Sequence, residues 1–109
     1  MAWTLKDGID GATLQFTSDF MKSSAISAID TLCFIGRNLG AQNPQLVNVY
    51  GNPSGETEAY ARELLIDEVL GGPMKIRQFV EQVVTHAATQ HAYFLAAQAE
   101  AAKAKKAES

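Results

Sequence analysis

The chain has 109 residues, 47 % of them apolar, and a formal charge of −3 from 12 acidic and 9 basic side chains, which suits one globular domain with a modest core. Those charges are spread along the chain, so no basic field exists to hold a phosphate backbone, and no direct nucleic-acid partner is expected. There is no run of about 18 apolar residues for a membrane span, residues 1–7 carry neither a basic region nor an apolar export segment, and Cys33 has no second cysteine to pair with; the expectation is a cytoplasmic protein with no membrane partner.

Residues 1–17 mix Trp3, Leu5, Ile9, Leu14 and Phe16 with Gly8 and Gly11, which predicts a short turn or helical piece closing over a core. From Ser18 the pattern sharpens. A serine N-cap, Asp19 in the first turn and Phe20, Met21, Ile26, Ile29, Leu32, Cys33, Ile35 and Leu39 at helical spacings predict a first helix over 18–39. Phe34 beside Leu32 and Cys33 widens its apolar arc, so this helix is expected to be central.

Between Gly40 and Gly55 lie two prolines and several asparagine and glutamine residues, the composition of a connection. Within it Leu46-Val47-Asn48-Val49-Tyr50 alternates as a strand would, yet Asn43-Pro44 is a good N-cap and first position for a short helix. The short helix is preferred, because a lone strand has no second one to pair with. A second full helix is predicted over 55–70, entered through Ser54 or Thr57. Its core row is Tyr60 or Ala61, Leu64, Leu65, Val69 and Leu70, with Arg62, Glu63, Asp67 and Glu68 outside.

After Gly71-Gly72-Pro73 the chain has no glycine or proline, so a long final helix is predicted from Pro73, roughly 50 Å if it reaches Lys106 at about 1.5 Å per residue. Its apolar positions are Ile76, Phe79, Val80, Val83, Val84, Ala87, Phe94 and Leu95; beyond them Ala, Gln, Glu and Lys favour helix with little to bury. The reading is a single helical domain over 1–97 with a frayed Ala/Lys-rich end over 98–109. In class it is all-α, with a central helix, an antiparallel second helix and a long protruding C-terminal helix.

No residue set announces catalysis, a metal or a cofactor. His86 and His91, five apart, point about 140° from each other on a helix, unlike aligned metal ligands. Glu63, Asp67 and Glu68 read as a solvated face, Cys33 as a buried structural thiol between Leu32 and Phe34, and the glycines before helix starts at 51–55 and 71–72 as turns. What remains is a surplus of large side chains: Trp3, Phe20, Met21, Phe34, Tyr50, Tyr60, Met74, Phe79, Tyr93 and Phe94. Tyr93, Phe94 and Leu95 are consecutive and spread over about 200° of the last helix, more than one neighbour can hide. Ala87, Ala88, Ala92, Ala96 and Ala97 let a second helix approach closely. Phe79, Val83, Phe94 and Leu95 are therefore the candidate protein-interaction residues. A non-catalytic interaction protein, self-associating as a homodimer, is the functional class, with no small-molecule substrate expected.

In its length, acidic character and helical layout around Leu46-Val47-Asn48-Val49-Tyr50-Gly51 and the Gly71-Gly72-Pro73 break, the chain resembles the QslA-like quorum-sensing antiactivators of pseudomonads. The resemblance implies an antiactivator that binds the ligand-binding domain of a LuxR-type transcription regulator and blocks its dimerisation and DNA binding. It transfers no individual contact residue. Two other classes stay open: a structural or assembly protein, phage-encoded, building larger helical oligomers, and a small enzyme or ligand carrier, which would need convergent polar groups the sequence does not offer.

Overall fold

A computed structural model describes residues 4–22, 25–51 and 53–108, without the side chains of residues 21, 22, 25 and 105–108. The described residues form helices and connections with no strand: α1 Leu5–Lys22, α2 Ala25–Gln42, α3 Leu46–Tyr50, α4 Thr57–Leu64, a π-helical turn Leu65–Leu70 continuing α4, and α5 Ile76–Glu108.

The first helix corrects the expectation of a short piece. Thr4 Oγ1 accepts the Asp7 backbone N–H at 3.1 Å and so caps the start. Ile9, Ala12 and Phe16 then fall on one buried stripe, with Leu14 facing water. Gly8 reads in sequence as a breaker, but the absence of its side chain is what admits Leu39 of α2 against the helix. Ser18 therefore lies inside α1 and is no N-cap. The helix expected over 18–39 is the end of α1 followed by α2, and the junction at 23–24 lies outside the described residues, as does Trp3.

Central position falls to α2, which packs on α1 and α4 and shares the largest helix–helix interface of the molecule with α5. Its buried row is Ala28, Ile29, Leu32, Cys33 and Leu39, extended by the close-approach glycines Gly36 and Gly40. A Cβ at Gly36 would lie 2.5 Å from the Ala87 Cβ, and one at Gly40 would run into the Ala88 carbonyl. The small-residue stripe of the last helix thus meets this chain's own α2, through a Gly-x-x-x-Gly pair that lets the two backbones touch. Phe34 and Ile26 point outward, which narrows the expected arc.

Asn43 closes α2 instead of capping the next helix: its Nδ2 donates to the Leu39 carbonyl at 2.7 Å, satisfying a carbonyl the helix end leaves open. The short helix preferred over a strand is α3. Glu56 occupies the N-cap position of α4 without a side-chain cap, so neither Ser54 nor Thr57 serves there. Ala61 and Leu65 are buried and Leu64 and Val69 partly so, while Leu70 is exposed. The wider π turn, with Gly71 N–H reaching the Ile66 carbonyl at 3.0 Å, rotates Leu70 out of the core row.

Lys75, not Pro73, precedes the last helix. Gln78 Oε1 reaches back to the Lys75 N–H at 3.4 Å, half of a capping box. Phe79, Val80, Val83 and Val84 are fully buried, with the Phe79 ring 5.2 Å from that of Phe16, and Arg77 pairs with Asp10 at 2.6 Å where α1 crosses the helix start. The 33 residues of α5 make a rod of about 50 Å, which accounts for the 53 Å long axis of the molecule. The described helix runs to Glu108, in keeping with the high helix propensity of Ala, Glu and Lys.

Candidate protein-interaction site

Among the described side chains of α5 the last buried one is Ala92; Tyr93, Phe94 and Leu95 are 45, 53 and 36 % exposed. Three consecutive residues on a helix cannot share one face, and α2, the neighbour that covers this side, makes its closest approach opposite Ala87 and Ala88. Phe94 and Leu95 therefore stand at the surface. Phe79 and Val83, named with them from the sequence, are 0 % exposed. Their inclusion is corrected, because α1 is a full helix whose Phe16 covers the first turns of α5.

The Phe94 ring borders a groove of about 410 Å³ between α2, the start of α4 and α5. One wall is Cys33 and Arg37; the other is Glu56, Thr57 and Glu58; Ala87, Gln90, His91 and Phe94 complete it from α5. Burial pushes the Cys33 thiol up to about 11, with Glu58 adding to the effect. It stays protonated at neutral pH and is no nucleophile there. Arg37 is exposed and belongs to neither ion pair found among the described residues; Glu58 lies 3.8 Å from Arg62 with both side chains half-exposed. The rim thus carries two carboxylates and one guanidinium around an apolar floor.

A polar clasp holds the far wall in place. Thr57 Oγ1 donates to Gln90 Oε1 at 3.1 Å and lies 2.8 Å from His86 Nδ1, while Gln90 Nε2 donates to the Gly55 carbonyl at 2.6 Å. Tyr60 stacks on the His86 ring at 4.6 Å. These contacts tie the connection before α4 to α5, so the groove has a fixed wall. His86 serves the clasp and His91 stacks on Phe94 at 6.0 Å, so the two rings occupy separate sites.

On the other side of the clasp a second cleft of about 340 Å³ is lined by Tyr50, Tyr60, Glu81 and Thr89 among others. Thr89 is 1 % exposed and its hydroxyl has no hydrogen-bond partner among the described residues. Glu63, Asp67 and Glu68 face solvent. Sequence reasoning missed Arg37, Glu56, Glu58, Thr57 and Gln90 as a group, since three separate elements supply them. The Gly36-x-x-x-Gly40 spacing, which the structure sets against Ala87 and Ala88, is the sequence signal that could have shown where those elements meet.

No protein-family model matches the chain, and neither does any curated protein or solved structure. No helix among the described residues is long and apolar enough to cross a membrane.

Proposed function

We propose that this chain is a non-catalytic protein-interaction protein that works through the uncovered flank of α5. The observation behind the reading is the run Tyr93-Phe94-Leu95, exposed immediately after a stretch in which the same helix is buried. Large apolar side chains beside a groove with a charged rim are the usual makings of an interface centre, where aromatic anchors contribute most of the affinity.

The partner class comes from the resemblance to the quorum-sensing antiactivators: the ligand-binding domain of a LuxR-type transcription regulator. An apolar helical flank can occupy the surface through which such a regulator dimerises, and competition there requires no catalytic group. The regulator then loses its paired hold on DNA. The test mixes the purified protein with LuxR-type regulators from its own source and follows both complex formation and release of operator DNA. Replacing Phe94 and Leu95 together with Ser is expected to abolish both effects while leaving the helical circular-dichroism signal nearly intact. Undiminished complex formation by that variant overturns the reading.

A further inference from the structure

The polar clasp holds more acceptors than a neutral His86 can serve. Gln90 Nε2 donates to the Gly55 carbonyl at 2.6 Å, and a carbonyl only accepts, so the amide is fixed in orientation and turns its Oε1 to Thr57. Thr57 has a single hydroxyl hydrogen, which goes to that Oε1 at 3.1 Å. What the hydroxyl keeps for His86 Nδ1, 2.8 Å away, is a lone pair. On the other side of the ring Nε2 lies 3.3 Å from the Ser54 carbonyl, again an acceptor. Both ring nitrogens therefore face acceptors, and only an imidazole carrying both protons matches them. With one proton, either Nδ1 or Nε2 is left lone pair to lone pair. We propose that the clasp is a pH-operated latch: with His86 doubly protonated it closes and pins residues 54–57 to α5, and with the ring neutral it is incomplete and the start of α4 loosens. The latch stands apart from the interaction reading, since it concerns how firmly the groove wall is held, whatever enters the groove.

The groups around the ring favour the cation. Tyr60 of α4 stacks on it with centroids 4.6 Å apart, which sets a cation against an aromatic face. Glu81 of α5 and Tyr50 of α3 line the same cleft as His86, and Glu56 and Glu58 flank Thr57 in the chain. Arg37 of α2 and His91 line the other groove, with Thr57 and Gln90 but not His86. His86 is half-buried, so protons reach it from solvent.

Amide hydrogen exchange followed by NMR tests the latch, with each rate compared with the intrinsic rate at the same pH to give a protection factor. The reporter is the Tyr60 amide, which bonds the Glu56 carbonyl at 3.1 Å at the start of α4. From pH 8 to pH 5.5, across the range in which histidines take up a second proton, its protection is expected to rise about three- to tenfold, the weight of one hydrogen bond. Long-range 1H–15N spectra should show protons on both His86 nitrogens at the acid end. Gln90→Leu frees the Thr57 hydroxyl to donate to Nδ1, so a neutral ring satisfies the contacts that are left and the rise should vanish. His86→Gln should also abolish it, and His91→Gln, which replaces the other of the two histidines, should keep it. Circular dichroism at both pH values checks that each variant is folded. Flat protection in the parent, a rise of the same size in Gln90→Leu, or a rise that is lost with His91 and kept without His86 overturns the latch. Should a variant fail to fold, the parent decides alone, and a His86 ring with one proton at pH 5.5 overturns the proposal.

Discussion

The two halves of α5 are one unbroken helix with opposite duties. Over 76–92 it is the post on which α1, α2 and α4 pack, with Phe79, Val80, Val83 and Val84 fully buried and alanines admitting the glycines of α2. Over 93–104 every residue is exposed. Tyr93, Phe94 and Leu95 are as apolar as the residues before them, so hydrophobicity alone does not separate the halves. What separates them is the reach of the neighbouring helices. An apolar side chain stabilises the fold only where another element of the chain can cover it; elsewhere the same side chain is available to a partner.

Substitutions on either side of Ala92 should therefore behave differently. The largest effect on stability is expected from Phe79→Ala, which empties the contact with Phe16 and should lower unfolding free energy by about 3–5 kcal/mol in a urea titration. Gly40→Ala comes next, at about 1–3 kcal/mol, because the new methyl group is driven into the Ala88 carbonyl and the α2–α5 interface has to open. Thr57→Val leaves Gln90 Oε1 and His86 Nδ1 without their hydroxyl and is expected to cost about 1 kcal/mol. Faster amide exchange confined to the start of α4 would confirm that the clasp is what failed. Phe94→Ser with Leu95→Ser should change stability by no more than about 0.5 kcal/mol, as surface substitutions do, while weakening association. If it destabilises as much as Phe79→Ala, the contrast between the halves is wrong.

Cys33 reports on the same boundary from the groove. With its thiol raised from 9.0 to about 11, mainly by burial, it should react slowly with a disulfide reagent at pH 8 and quickly once the protein is unfolded in urea. The fold favours the protonated thiol, so this contribution to stability is intact below pH 9 and is lost as pH rises through about 11. Fast labelling of the folded protein at pH 8 would show that the groove floor is open.

Much of the helical layout was legible because the apolar spacing of Ile29, Leu32, Cys33 and Leu39, and the helix after Gly71-Gly72-Pro73, are local patterns. The N-terminal helix was not, since Gly8 and Gly11 look like breakers until Leu39, far along the chain, is seen to need the space at Gly8. Phe94 and Leu95, read as surplus to one helix face, are exposed. Phe79 and Val83 were misplaced because burial depends on α1, whose full extent the spacing concealed. The groove was invisible for a related reason: Arg37, Glu58 and Phe94 converge only through the packing of three helices.

Helical class, the break at 71–73 and the length of the final rod follow from composition and periodicity, because backbone conformation responds to near neighbours along the chain. Which apolar residues are hidden, where the glycines of α2 meet the alanines of α5 and which charges line one groove were decided by packing between distant segments. Spacing along one helix sets the faces it offers, and only the helices placed against it settle which of those faces stays dry.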